Sequence, residues 1–420
     1  MELAALCLIL AAVFVWGTFS ARAAAISTPI FFVAIGVVMA QVLEFRLESD
    51  PHLIKVVAEV TLVWVLFDDA SRVRIADLRA DRGLYLRLLA LGLPLTIALG
   101  AFAAAVVLGV DPWYAVLVGA ALAPTDAALG SAVMSDRRVP RRVRQALNVE
   151  SGLNDGIATP IVILAIAGIA AAAGLDHEGP GHALVGLLLG VVVGVVVGAG
   201  GGALLRVARR RGWSSDEFAG PAVLALALIA YLGAVGIDAN GFVAAFVGGS
   251  AYGAFAGRGG EKEVYYVEQT CGLASMIAWF VFGAVIIPAL ATGWTWQILV
   301  YAVLSLTVVR MLPVAISLLG AGMDRATVLF IGWFGPRGLA SIVFALIALE
   351  DLHGVEGPVD EVVDTIGLTV LLSVLAHGLS ARPLAGRYAA SRGGDLDESQ
   401  HTEPAVRRFV SQRSEGHDLP

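Results

Sequence analysis

Charge is scarce in this 420-residue sequence: 15% of its residues are Asp, Glu, Lys or Arg, against 58% hydrophobic. That is too little polar surface for a soluble globule of this size, so the chain reads as an all-α polytopic membrane protein. Cysteine is nearly absent. Cys7 and Cys271 lie far apart in apolar stretches, which excludes a disulfide framework and a thiolate-held metal. Enzyme signatures are missing too. There is no Gly-x-Ser-Gly nucleophile turn and no pair of aspartates in a protease-like context. The stretch His177-Glu-Gly-Pro-Gly-His182 has three residues between Glu178 and His182 and a Gly-Pro break, so no helix could present both histidines to zinc. Gly200-Gly-Gly202 lacks the Lys-Ser/Thr of a phosphate loop. No cofactor and no enzymatic activity are implied, and a net charge of −7 gives no reason to expect a nucleic-acid partner.

What is present is a series of hydrophobic runs. A membrane-spanning helix needs about 20 predominantly apolar residues, and thirteen stretches approach that length: 3–21, 27–44, 52–70, 84–108, 113–134, 144–171, 183–205, 217–235, 238–256, 264–289, 295–319, 326–349 and 362–380. The first lacks a basic segment ahead of it and is followed at once by another run, so it reads as a retained spanning helix, not a cleaved leader. Residues 1–385 form the transmembrane domain on this reading. Residues 386–420, polar and carrying Arg387, Arg407 and Arg408, are expected to be a flexible cytoplasmic tail.

Short cytoplasmic loops are enriched in Arg and Lys. Here Arg72, Arg74, Arg79, Arg82 and Arg87 follow run 3; Arg137, Arg138, Arg141, Arg142 and Arg144 follow run 5; Arg206, Arg209, Arg210 and Arg211 follow run 7. All come after odd-numbered runs, which predicts an N-terminus outside the cell and a C-terminus in the cytoplasm. Run 7 carries Gly186, Gly190, Gly194, Gly198 and Gly202. A glycine at every fourth position gives a face of bare backbone that admits a close neighbour, expected to serve the packing of a long connector and not a dimer seam.

Two runs are interrupted. Ala123-Pro-Thr-Asp126 breaks run 5 and Phe334-Gly-Pro-Arg-Gly338 breaks run 12. Being seven runs apart, the two cross the membrane in opposite directions, the mark of inverted-topology repeats, runs 1–6 against runs 8–13 with run 7 as linker. Paired broken helices at corresponding places point to a midplane binding site. Their free amides and carbonyls must be satisfied by side chains, water or a transported ion.

Between the breaks in sequence lies a polar island, Asn148-Val-Glu-Ser-Gly-Leu-Asn-Asp-Gly156. An ionisable group at the bilayer centre costs about 2.5–3.5 kcal/mol on insertion scales, so each needs a partner or a purpose. With run 6 starting near Arg144, Asp155 lies roughly 17 Å in, near the midplane. Ser151 and Asp155 share one helix face, Glu150 and Asn154 the adjacent one. A carboxylate beside a hydroxyl and an amide oxygen offers hard ligands for a monovalent cation. Such a carboxylate is tolerated when protonated or when cation-bound, so proton and cation compete for it. Thr125 offers a hydroxyl and a freed carbonyl at the break, and Asp126 either supports the ion or caps a helix. Arg337 is expected to neutralise Glu150 or the carbonyl end of a half-helix, with the Glu150–Arg337 ion pair preferred; Arg310 is assigned similar structural work. Asp68 and Asp69, at the end of run 3, are accessory candidates.

At these residues the chain resembles the NhaP-type sodium/proton antiporters, relatives of the animal sodium/proton exchangers. Pro124-Thr-Asp126, Glu150-Ser-Gly-Leu-Asn-Asp155 and Gly335-Pro-Arg-Gly338 occur in the order and helices that family uses. The resemblance implies thirteen helices, a core that moves like an elevator against a dimerisation domain, and hence a homodimer. It implies Asp155 as the ion-binding aspartate, Ser151 and Thr125 as ligands of transported Na⁺, Asp126 as supporting carboxylate, and Glu150 with Arg337 as structural pair. Asn154 ahead of Asp155, in place of a second Asp, resembles the electroneutral branch, which exchanges one cation for one proton. Ala127 departs from the proline more usual there. The expected function is exchange of Na⁺, with K⁺ or Li⁺ as alternatives, for H⁺ across the cell membrane. The competing reading, a passive cation channel or an ion sensor on the same scaffold, would need a continuous pore with many weak sites, whereas this sequence concentrates its polar groups at one.

Overall fold

The computed structural model describes residues 2–20, 22, 26–42, 51–73, 81–127, 129–174, 180–257, 261–288, 293 and 295–391, and every regular element among them is helical. Each of the thirteen runs falls on helix. They are α1 (Glu2–Phe19), α2 (Thr28–Val42), α3 (Pro51–Arg72), α4 (Arg82–Val107), α5a (Pro112–Ala121) with α5b (Ser131–Met134), and α6 (Arg141–Ala172). Then come α7 (Pro180–Arg210), α8 (Asp216–Val235), α9 (Gly241–Phe255), α10 (Glu261–Val281, continued by a π-helical turn, Phe282–Ile286), α11a (Trp296–Leu306) with α11b (Val308–Ser317), α12a (Arg325–Trp333) with α12b (Leu339–Asp351), and α13 (Val359–Ser391). Seven of these, α4, α6, α7, α8, α10, α11 and α13, are long and apolar enough to cross a membrane by length and composition.

The helix limits follow local chemistry. Pro51, Pro112 and Pro180 open α3, α5a and α7, where the missing amide would have had no partner. Gly174 and Gly212 adopt φ of 71° and 68° and close α6 and α7. Two limits differ from the sequence expectation. Run 11 contains a break at Thr307 (φ −111°, ψ −88°). Helix α13 continues through Ser391, so residues 386–391, expected in the tail, are helical: Ala385 and Tyr388 are buried, and the Tyr388 ring stacks on Phe330 at 4.2 Å. The remainder of the expected tail, 392–420, lies outside the described residues, as do Arg74, Arg79 and the stretch 175–179 that begins the His177 motif.

The glycine face of α7 is filled from within the chain. A Cβ at Gly190 would stand 2.6 Å from the Asn240 carbonyl, one at Gly194 would stand 2.6 Å from that of Ala244, and one at Gly198 would collide with the backbone of Gly248. The Asn240 amide donates to the Gly186 carbonyl at 2.9 Å, fastening the start of α9 to α7. On its other side, α9 uses Gly249 and Gly253 to approach the α3 backbone at Phe67 and Ser71. Helix α9 is thus clamped between α7 and α3, as expected for a stripe that packs a long connector.

Charged groups gather at the two ends of the bundle. At one, Lys55 of α3 lies 2.9 Å from Asp351 and 3.3 Å from Glu350, at the end of α12b, and Tyr231 of α8 donates to Glu59 at 3.0 Å. At the other, Arg72 chelates Asp68, with contacts of 2.6 and 2.9 Å, and reaches Glu268 of α10 at 3.5 Å.

Overpacking the α7–α9 crossing should be costly because backbone, not a movable side chain, stands in the way. Gly198→Leu is expected to lower the thermal midpoint of the purified protein markedly, whereas Gly200→Leu, where a Cβ meets nothing within 4 Å, should leave it nearly unchanged; equal effects would contradict this packing.

Candidate ion-binding site

Where α5 and α12 break, the two extended stretches cross and cap one another. The Asp126 amide donates to the Pro336 carbonyl at 2.7 Å. The Asp126 carboxylate accepts from the Leu339 amide at 3.1 Å, at the start of α12b, and from the Leu129 amide at 3.3 Å. In return, α12 supplies donors to the carbonyl end of α5a. Ser341 Oγ donates to the Ala121 carbonyl at 2.7 Å, and Arg337 Nη1 donates to the carbonyls of Ala123 and, at 3.2 Å, Pro124. An anion therefore faces the positive end of one half-helix and a cation the negative end of another, the favourable arrangement for both dipoles. Gly338 makes the contact possible, since a Cβ there would occupy the space of the Asp126 carboxylate. The carbonyl end of α12a is closed separately by His377, whose Nε2 lies 2.9 Å from the Trp333 carbonyl and must donate to it.

This arrangement corrects the expected Glu150–Arg337 pair. Glu150 is held instead by Arg310 of α11b, bidentately, at 2.5 and 3.0 Å, with both side chains buried. Arg337 is fully buried and gives its Nη1 to the carbonyls that follow α5a, the alternative the sequence left open; its own amide donates to Ser373 Oγ at 2.6 Å. The physical reason is room. Gly335 has no side chain, and a Cβ there would strike the Arg310 guanidinium, so Arg310 passes the α12 break to reach Glu150.

Asp155 is the fifteenth residue of the 32-residue α6, which begins at Arg141, three residues earlier than expected. It is 9% exposed, and its Oδ1 has no hydrogen-bond partner among the described residues. It lines a small recess with Pro124, Thr125, Asp126, Gly338, Ala340 and Ser341, so the carboxyl faces the crossing of the two breaks. Thr125 is the hub beside it: its hydroxyl lies 2.8 Å from Ser151 Oγ and accepts from Asn154 Nδ2 at 2.8 Å. Asn154 Oδ1 is a second buried oxygen without a partner. The structure thus gathers Asp155, Thr125 and Asp126 around one recess and puts Ser151 and Asn154 behind Thr125, bonded to it.

Asp68 is occupied by Arg72, while the Asp69 backbone and Cβ lie beside Gly152 of α6, one turn before Asp155. Sequence reasoning did not find Phe246 of α9. Its ring lies against Gly156, where any Cβ would overlap it, and so covers the helix backbone beside Asp155. Nothing in the pattern of α9 marks this phenylalanine, although the missing side chain at Gly156 is a signal that something packs there. Ser341 and Arg310 were equally hard to place, being polar residues inside apolar helices with no sequence spacing to their partners.

The family described as "Sodium/hydrogen exchanger, transmembrane" matches residues 8–387. The chain belongs to this family. Among curated proteins, it is 26% identical over 344 residues to a "K(+)/H(+) antiporter NhaP" of Alkalimonas amylolytica, covering 80% of this chain and 58% of that protein. It is 25% identical over 329 residues to a "K(+)/H(+) antiporter NhaP2" of Shewanella sp. (strain ANA-3), covering 77% of this chain and 56% of that one. The chain therefore spans less than three fifths of the length of these relatives. Among solved structures it is similar to the sodium proton antiporter MjNhaP1 of Methanocaldococcus jannaschii, with a TM-score of 0.72, 20% identity, and coverage of 91% of this chain and 97% of that one. The match supports a shared fold, and as a member of this exchanger family the chain is a multi-pass membrane protein.

Removing one partner of a buried, bidentate pair leaves an uncompensated charge at a cost of about 3–5 kcal/mol. Glu150→Gln is expected to destabilise the protein by that order, and Glu150→Leu combined with Arg310→Met to recover much of the loss, as read by thermal unfolding in detergent. Full recovery from pairing Glu150→Leu with Arg337→Met instead would contradict the assignment of partners.

Proposed function

We propose that this chain is a secondary antiporter exchanging one monovalent cation for one proton at Asp155, electroneutrally, by alternating access. One observation carries the reading: a buried carboxyl with an unpartnered oxygen, facing a recess where two broken helices cross. A buried carboxylate without a partner is too costly to persist. It is relieved by a proton or by a cation, and each excludes the other. Thr125 supplies a ligand oxygen in the same recess, with Ser151 and Asn154 fixing that hydroxyl and offering further oxygens. Asp126 supports the site by closing the half-helix end, and Asp69 lies beside Gly152, one turn from Asp155.

The exchanged states are both neutral at Asp155, so the carrier moves no net charge in either direction and membrane potential should not drive turnover. A dimer with each protomer carrying its own site, an N-terminus outside and a cytoplasmic C-terminus complete the reading, with α1–α6 and α8–α13 as the two halves and α7 joining them. The relatives' names divide between K⁺ and Na⁺, and oxygen ligands of this kind suit either ion.

In proteoliposomes, addition of Na⁺ or K⁺ should drive proton movement that persists unchanged when an inside-negative or inside-positive potential is imposed. Asp155→Asn should abolish it, and Thr125→Val should weaken apparent cation affinity by roughly tenfold, the value of one lost ligand contact of about 1.4 kcal/mol. Exchange retained by Asp155→Asn, or a rate that follows the imposed potential, would overturn the proposal.

A further inference from the structure

A second cleft in the described structure lies away from the ion site, between the C-terminal half of α7 and the N-terminal half of α8, with room of about 410 Å³. Its walls are apolar: Leu204, Leu205, Phe218 and Leu226 line its length, Trp213 stands at its mouth and Tyr252 of α9 at its floor. Leu204, Trp213 and Phe218 are each about two thirds exposed or more, at 66%, 66% and 71%, so the cleft opens outward from the bundle. Soluble chemistry does not account for such a surface, because exposed leucine, tryptophan and phenylalanine beside an apolar cleft suit acyl chains and not water.

The end of the cleft is basic. Arg206, Arg209, Arg210 and Arg211 close α7, and Asp216 and Glu217 open α8, so four cations outnumber two anions. Two of the arginines are fixed to the cleft itself. Arg209 Nη2 reaches the Tyr252 hydroxyl at 3.4 Å, and the Arg211 guanidinium lies over the Trp213 ring at 4.8 Å. That geometry holds the charged heads at the mouth while leaving the interior apolar. Arg211 is exposed, and Ser214 and Ser215 add hydroxyls to the lining. Gly212, at φ 68°, turns the chain so that Trp213 folds back, its amide donating to the Ala208 carbonyl at 2.8 Å.

The geometry points to a binding site for an anionic glycerophospholipid, with an acyl chain in the α7–α8 cleft and the headgroup phosphate on the arginines that close α7. The apolar volume and the basic mouth must be occupied together, which a lipid does and a free phosphate does not. The cleft is separate from the ion site: no residue that lines it also lines the recess at Asp155. A lipid there would brace α7, α8 and α9 against one another.

Native mass spectrometry of the full-length protein, delipidated and titrated with phosphatidylglycerol, phosphatidylcholine or glycerol phosphate, tests this without reference to transport. Retained adducts and a rise in melting temperature are expected with phosphatidylglycerol alone. Arg209→Ala with Arg211→Ala should weaken that binding about thirtyfold, from the loss of two charges that would face an anionic lipid. Ala222→Trp, which fills the cleft and keeps every arginine, should abolish it while the apo protein melts as before. Equal binding of phosphatidylcholine, equal stabilisation by glycerol phosphate, or phosphatidylglycerol adducts untouched by either variant would overturn the proposal. So would a change from dimer to monomer in Ala222→Trp with no lipid adduct in the parent, which would make the cleft a seat for a second copy.

Discussion

The structure depends on the mutual capping of two broken helices. Inside a membrane a free helix end is expensive, because no water is at hand to take its carbonyls and amides. Here each break supplies what the other lacks. Asp126 from the α5 break accepts the amide that starts α12b, while Ser341 and Arg337 from α12 donate to the carbonyls that end α5a. Asp126 and Arg337, residues that would ordinarily be read as ligands, take part in this closure. What remains is a crossing stable enough to hold a cavity in hydrocarbon, with one carboxyl left over.

That remainder gives the site its chemistry. Glu150 and Arg310 satisfy each other at both oxygens, and Asp68 belongs to Arg72. Asp155 alone among the core carboxyls has an unpartnered oxygen facing the recess. On the proposed reading, a proton and a cation exclude each other at this one carboxyl by charge and by space. The packing beside it follows the same economy. Gly156 admits the Phe246 ring against the helix backbone, and Gly152 admits Asp69, so α9 and α3 close over α6 at the level of the carboxyl.

Much of this was legible in the sequence, and the part that was not has a common cause. Thirteen apolar runs, the two proline-marked breaks and the polar island on α6 are local signals, and each appears where expected. The glycine period of run 7 also announced a close neighbour, and α9 fills it. Partners between helices distant in sequence carry no such period. Glu150 and Arg310 are separated by 160 residues, and nothing in either neighbourhood states that Gly335 clears the path between them, so Arg337, adjacent to a break, looked the better match. The choice between Asp68 and Asp69 turned on a rotation of one residue along α3, which the rows of apolar residues around them do not fix. The extension of α13 to Ser391 was hidden by polar residues that are individually exposed, while Ala385 and Tyr388 dock on the bundle.

The central claim is that proton and cation share one carboxyl. It is tested most directly by counting protons released when Na⁺ or K⁺ saturates the purified protein in weakly buffered detergent solution, at a pH where the carboxyl holds its proton. One proton per chain is the predicted stoichiometry, with none released when the same titration is made with an impermeant organic cation. Saturable cation binding without proton release, or release of two protons per chain, would contradict the account.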